Sequence, residues 1–377
     1  MSLDGLPPEL LTHILELSCT DNGATGRSLS LVSRYIRDIS ATFKLQSVAL
    51  LGRQQLLQFA AFLDSSHDSV PANTRYLYIG GQESQSELTE IVSAKREGYA
   101  AANAKAMAFA RANPDEEHYK QLQLLRDQAQ YMLNRSHLAM QLFARDAADA
   151  VFTVLRHIAP TLEVLYIHVN EYVARALNQS GLELPRLIDL TTCAGFPLIR
   201  HKGQGESGLL PCPTLRHLHV VETNDMWCDS EAFLRVQGIA HFSPNLTTLR
   251  LSELGQNEAV PLHVAASIGI DIGDAQYTPL RSIVPLPRSV QQIVLKPTVK
   301  PEPACCEVCD DTYVYSDLVD YARRLVQKSR RVVLLQADKE APERDNLFTE
   351  WSDKANGRSW IWDAKDVDTT PLKNVNA

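Results

Sequence analysis

The sequence predicts an α/β protein: a short helical module at the N-terminus, then an irregular array of strand-and-helix units interrupted by a helical insertion. Three observations carry this reading. Apolar residues recur at helical spacing through residues 4–40. From Pro160 onward, segments of the form Pro-x-Leu-x-x-Leu-x-apolar return at intervals. Between them, residues 85–158 are rich in alanine, leucine, glutamine and charge and contain a single proline, Pro114.

The N-terminal segment begins with Leu6 and two prolines. Pro7 or Pro8 fits a first helical turn, where a missing N–H costs little, and Glu9 places negative charge at the positive end of the helix dipole. Leu10, Ile14 and Leu17, with Leu11 and Leu15 beside them, form a broad apolar face of period 3.6. DNGATG (Asp21 to Gly26) is a turn cluster that ends this helix. Ser28 or Ser30 is expected to cap a second helix containing Leu29, Leu31 and Val32. SRYIRDIS supplies a third, with Tyr35, Ile36 and Ile39 as its apolar positions. Three such helices enclose little surface, and a unit of about forty residues ordinarily needs a metal, disulfides or a partner. With only Cys19 and no ligand cluster, this one must pack on the rest of the chain, on another protein, or on both.

The pair of patterns LPxELxxxI (from Leu6) and LxLVSRxIRDI (from Leu29) resembles the F-box, in the form seen in fungal F-box proteins. Leu6, Pro7, Glu9, Leu10 and Ile14 match its first half, and Leu29, Val32, Ser33, Arg34 and Ile39 its second. Tyr35 stands where tryptophan or another aromatic is usual. The resemblance covers roughly residues 4–42. It implies three packed helices that bind the small adaptor subunit of a cullin-RING ubiquitin ligase. Leu6, Pro7, Glu9, Leu10, Ile14, Val32, Ser33 and Tyr35 would lie at or just behind that interface. The function implied is that of a substrate-recognition subunit of an SCF-type ligase, with an unknown protein as its target.

Composition is compatible with that role. The chain has 377 residues, 45% hydrophobic and 22% charged, as expected of a globular protein of several parts. A net charge of -8, with no basic run interleaved with aromatics, argues against nucleic acid. No stretch approaches eighteen consecutive apolar residues, so no membrane span is expected. Seven cysteines, an odd number, and the start MSLDGLPPEL point to a reducing compartment, cytoplasm or nucleus.

After the helical module (1–42), residues 43–84 read as strand, helix and strand: FKLQSVALLG, then Leu56, Leu57, Phe59, Ala60 and Leu63 at helical spacing, then RYLYIGG. The insertion, 85–158, is expected to hold two or three helices broken at NPDE, where Asn113 can cap. Leu122, Leu125, Ala129, Met132, Leu133, Leu138, Leu142, Val151, Leu155 and Ile158 form its seam or core. The part before Phe143 is expected to be exposed, and Met107 and Phe109 read as packing residues rather than a ligand site.

Residues 159–299 carry the repeats. With Leu162, Leu187, Leu215, Leu246 and Val290 as phase markers, the steps are 25, 28, 31 and 44 residues. The first three fall in or near the range of leucine-rich repeats and the last is stretched by an insertion. RRVVLLQAD (Arg330 to Asp338) reads as one more unit. The expected architecture is an irregular leucine-rich-repeat-like solenoid whose neighbours must stack to bury their apolar faces. An irregular α/β domain with a parallel sheet predicts nearly the same strands. The asparagine ladder of regular repeats is largely missing, since Asn245 precedes its strand. In the last region, 300–377, Leu318, Tyr321, Ala322 and Leu325 mark one helix. NLFTEWSDKANG and the alternating SWIWD (with Trp351, Trp360 and Trp362) are expected to cap the open end of the array.

Few residues read as chemistry. Cys306 and Cys309 make a CxxC beside Cys305, but no second ligand pair follows at zinc spacing. GQGESG (Gly203 to Gly208) lacks the lysine and hydroxyl of a P-loop. Neither GxSxG nor HExxH occurs. His217 and His219 alternate on one strand and so face the same way, with Asp225 and Asp229 near in sequence. They are read as candidate substrate-binding positions on the concave surface. No metal, cofactor or catalytic set is expected. Two other readings stay open: a ligase-independent interaction or scaffold protein, and an enzyme with a cleft between insertion and repeats.

Overall fold

The computed structural model describes residues 6–65, 73–80, 85–112, 119–169, 173–174, 177, 181–193, 210–222, 233–234, 238–255, 257–272, 283–302, 312–337, 345–358 and 367–368. The CxxC cysteines, GQGESG, SWIWD, Asp225 and Asp229 lie outside these residues.

Among the described residues, eight strands form one all-parallel sheet: β1 (Ser47–Leu51), β2 (Tyr76–Gly80), β3 (Val164–Ile167), β4 (Asp189–Cys193), β5 (His217–Val221), β6 (Thr248–Leu254), β7 (Gln292–Pro297) and β8 (Val332–Leu334). Their order across the sheet is their order in the chain. A parallel neighbour cannot be reached by a tight turn, so successive strands are joined by crossovers rather than hairpins. The chain is therefore a mixed α/β protein on a parallel sheet.

The register explains the repeat pattern. Val48, Leu77, Leu165, Leu190, Leu218, Leu249, Ile293 and Val332 pair in succession into one row across all eight strands. Every member of that row is buried in the main core. The steps from Leu165 to Leu190, Leu218, Leu249 and Ile293 are 25, 28, 31 and 44 residues, equal to the steps between the sequence markers. Each marker sits three residues before its strand's row residue, and all five are buried as well. The Pro-x-Leu-x-x-Leu segment thus supplies two core contacts per unit, one from the turn and one from the strand.

Helices cover this face. The helix α4 (Arg53–Ser65) buries Leu56, Ala60 and Leu63. The array continues with α7 (Ile239–Phe242), α8 (Val260–Ser267) and α9 (Thr312–Lys328), the last burying Leu318, Ala322 and Leu325.

The insertion is two long helices, α5 (Gln85–Ala112) and α6 (Tyr119–Ile158), packed on each other. At 1.5 Å per residue α6 is about 60 Å long. Its last turns enter the core through Ala144, Ala148, Val151, Val154, Leu155 and Ile158, braced on α4 by Arg53–Asp146 (3.1 Å) and His157–Asp64 (3.0 Å). Earlier in the hairpin the seam is small: Ala106 and Ala129 are buried, while Leu124, Tyr131 and Leu138 are exposed. Two expectations change here. Leu138 and Met107 face solvent, because two helices bury only one stripe of each.

The N-terminal module is three helices, α1 (Pro8–Ser18), α2 (Ala24–Val32) and α3 (Arg34–Ser40). Pro8 opens α1 as the sequence indicates. Its core is Leu11, Leu15 and Ile36, with Leu29, Ile39 and Phe43 packed around them. The expected caps are different. Ser28 and Ser30 lie inside α2 and bond back to Ala24 and Arg27 carbonyls. The turn before α2 is held instead by Asp21, which accepts from the Gly23 and Thr25 amides and the Thr25 hydroxyl. Ser33 caps α3, its hydroxyl accepting from the Ile36 amide at 3.1 Å. The module rests on the start of the sheet: Gln46 Nε2 donates to the Glu16 carbonyl at 3.2 Å, and Arg75 lies 3.6 Å from the Glu16 carboxylate.

The last helix, α10 (Asp345–Ala355), overturns an expectation. It does not close the open end of the array. It lies against the second face of the sheet, on β2 and β3, because Tyr78, Val164 and Tyr166 point out there and leave apolar surface that Trp351 covers.

Candidate functional site

Residues that alternate with the core row form the second face of the sheet. Its middle row runs Ala49, Tyr78, Tyr166, Thr191, His219, Arg250, Val294 and Val333. Aromatic character on β2 and β3 gives way to polar and charged groups on β4 to β6. Trp351 is fully buried against the aromatic part. Its ring lies 5.6 Å from those of Tyr78 and Phe348, and Phe348 meets Tyr78 edge-on at 5.3 Å. Such pairs add to the area that each ring buries.

The other side of α10 meets the charges. Glu350 accepts from Arg250 Nη1 at 3.2 and 3.3 Å, while Lys354, one turn on, pairs with Asp189. Asp189 also accepts from His217 Nδ1 at 2.6 Å. Burial pushes the Lys354 ammonium down to about 8, against the pull of Asp189 and Glu350. Burial, reinforced by the charges of Arg250, Lys296 and Lys354, holds the His219 imidazole well below its ordinary range. His219 is therefore neutral in the folded chain. Beyond Lys354, Asn356 reaches the N-terminal module, 2.9 Å from the Thr20 hydroxyl.

One constellation has the outline of acyl-transfer chemistry. His219 Nε2 shares a 2.6 Å hydrogen bond with Ser252 Oγ, and Glu350 stands 3.9 Å from His219 Nδ1. That last separation exceeds a hydrogen bond. Three cations around the imidazole make it a weak base, and both His219 and Ser252 are buried. The pair lies packed beneath α10. Nearby, β6 bulges between Ser252 and Leu254, with Glu253 in the left-handed region at φ 61 and its carboxylate accepting from the Thr298 hydroxyl. Burial, with the Glu253 charge, raises the Cys193 thiol to about 12. Cys19 and Cys212 are buried with raised pKa values too. No group of three or more His, Cys, Asp or Glu residues suited to a metal ion occurs among the described residues.

The sequence-predicted sites separate into two places. His217 and His219 do share a face, as the strand alternation requires. The surface there is smaller than expected: His217 is half-buried, and His219 is only 1% exposed, with Glu350 of α10 3.9 Å from its ring. Arg250, Asp189, Tyr78 and Tyr166, which build the same face, carried no local signal. Only the repeat phase, read one residue to either side of each core leucine, identifies them.

The second place is the outer side of the N-terminal module. On α1, Leu11 and Leu15 turn inward, while Leu10, Ile14 and Leu17 form an exposed row at positions i, i+4 and i+7. Leu31 and Val32, at the end of α2, are 81% and 66% exposed, and Tyr35 on α3 is exposed too. Pro7 and Glu9 face solvent, and Leu6 and Ser33 are half-buried. Single exposed leucines are ordinary; six large apolar side chains on three short helices are not.

Among known proteins, no family model, no curated protein and no solved structure matches this chain. No helix among the described residues is long and apolar enough to cross a membrane.

Proposed function

We propose that this chain is the substrate-recognition subunit of an SCF-type cullin-RING ubiquitin ligase. Its N-terminal helices act as an F-box that binds the adaptor subunit, and the repeat array, a leucine-rich-like solenoid, carries the target. The observation that supports this best is the division of α1. A helix serving only as a cap buries its apolar residues on the body, whereas here Leu10, Ile14 and Leu17 stay in solvent beside a complete small core of Leu11, Leu15 and Ile36. Leu10 and Ile14 of this row fall on positions that the F-box pattern assigns to its partner. A partner that covers it supplies the apolar burial at the centre of a stable interface.

The bracing of the module on the sheet by Glu16, Arg75 and Gln46 suits this role. The ligase grip then sets the orientation of the whole array, and the chain contributes proximity while other subunits make the covalent bond.

Affinity purification of the intact chain and of a variant with Leu10→Asp and Ile14→Asp tests the reading. Adaptor is expected with the former alone, at unchanged melting temperature, since both side chains are exposed. Equal adaptor recovery by the two chains overturns it. Absence of adaptor from the intact chain favours a ligase-independent scaffold.

A further inference from the structure

The second face of the sheet already shows what kind of ligand it accepts, because a segment of the chain sits on it. We infer that this face is a receptor for a short amphipathic helix bearing two aromatic residues three apart and an acidic residue among them, and that α10 is its resident occupant, displaced when a target helix of the same chemistry binds. This rests on the reading of the chain as a substrate receptor and names the class of target that its array takes.

Three features carry the inference. First, α10 is not needed to complete the main core. The row from Val48 to Val332 and the helices over it form one cluster, while Tyr78, Val164, Tyr166 and Trp351 form another on the opposite face. Removing α10 uncovers the second cluster and leaves the first closed.

Second, the face is chemically divided along its length and α10 matches the division. Phe348 and Trp351 stand on the tyrosines of β2 and β3. Glu350 stands on Arg250 of β6, and Lys354 on Asp189 of β4. The two charged contacts fix the direction of the helix, since the reversed helix would bring lysine towards Arg250 and glutamate towards Asp189.

Third, the face penalises the wrong occupant. Arg250 and Asp189 are almost wholly covered. An apolar helix in that position would cover both charges while removing Glu350 from Arg250 and Lys354 from Asp189, and taking one member from a buried pair costs more than the pair contributes. Selectivity by such a penalty is the usual way a surface rejects ligands that merely fit. The Trp351 indole Nε1, buried and without a hydrogen-bond partner among the described residues, marks a contact that a target helix can improve.

The test uses the full chain and a fluorescein-labelled synthetic peptide of residues 345–358, read by fluorescence polarisation. The wild-type chain, already occupied, is expected to bind it weakly. Chains with Trp351→Ala, or with Glu350→Lys, which repels Arg250 without emptying the aromatic shelf, hold their own helix less well. Each is expected to bind the peptide at least about tenfold more tightly, equivalent to about 1.4 kcal/mol. Arg250→Glu added to the Glu350→Lys chain should abolish that gain. Both variants binding no better than wild type, while keeping the wild-type circular dichroism spectrum, overturns the inference. Adaptor recovery on the same proteins is a separate readout: its loss in every chain, wild type included, defeats the ligase reading but leaves the peptide result standing.

Discussion

Glu350 on the last helix reaches Arg250 in the middle of β6 across 100 residues of sequence, Oε1 to Nη1 3.2 Å. The guanidinium is nearly buried and the carboxylate about one-third exposed. The pair therefore lies at the margin of the covered face, where its geometry is held by packing on one side and screened by water on the other.

Breaking this contact should loosen α10. Glu350→Gln leaves the shape and removes the charge, and a hydrogen bond to a charged group contributes about 1.5–3 kcal/mol, less where water reaches it. Denaturant titration of Glu350→Gln, Arg250→Gln and the double variant is expected to give a coupling of about 0.5–2 kcal/mol. Strict additivity would show that the two side chains do not act together.

His219 makes stability depend on pH. It is buried and neutral in the fold, held below its ordinary value of 6.5 by burial and by Arg250, Lys296 and Lys354. The unfolded chain takes up a proton near 6.5 that the folded chain refuses. Stability from this group is thus present above that pH and lost as the pH falls. His219→Gln should flatten the decline of the urea midpoint between pH 7.5 and 5.5. An unchanged slope would mean that other groups set the acid limit.

Gly26 reverses an ordinary rule. In a helix interior Gly→Ala usually stabilises by about 1 kcal/mol. Here α2 passes so close to the chain before β1 that a Cβ would stand 2.6 Å from the Lys44 carbonyl oxygen and 2.9 Å from its Cα. Backbone cannot swing aside as a side chain does. Gly26→Ala is expected to lower stability by about 1–3 kcal/mol, seen as a drop in melting temperature. A rise would mean that α2 stands further from Lys44.

The array was readable because it repeats. Each Pro-x-Leu-x-x-Leu segment places its two leucines in the same core rows, so the steps between Leu162, Leu187, Leu215, Leu246 and Val290 reappear as strand register. The helical insertion was equally plain, since alanine and long straight side chains favour helix whatever surrounds them. The opening of α1 at Pro8 followed from proline's fixed φ and missing N–H.

What the tertiary structure decided is which apolar and charged residues are covered, and by what. Periodicity shows that Leu10 and Ile14 share one side of α1 and that His217 and His219 share one side of β5. It does not say that the first pair stays in solvent while His219 lies beneath a helix from the far end of the chain. Local spacing records only which side chains point together, over a few residues. Burial depends on a second surface, and for His219 that surface is α10, more than a hundred residues away, drawn there because Trp351 finds its apolar neighbours on β2 and β3 rather than at the end of the array.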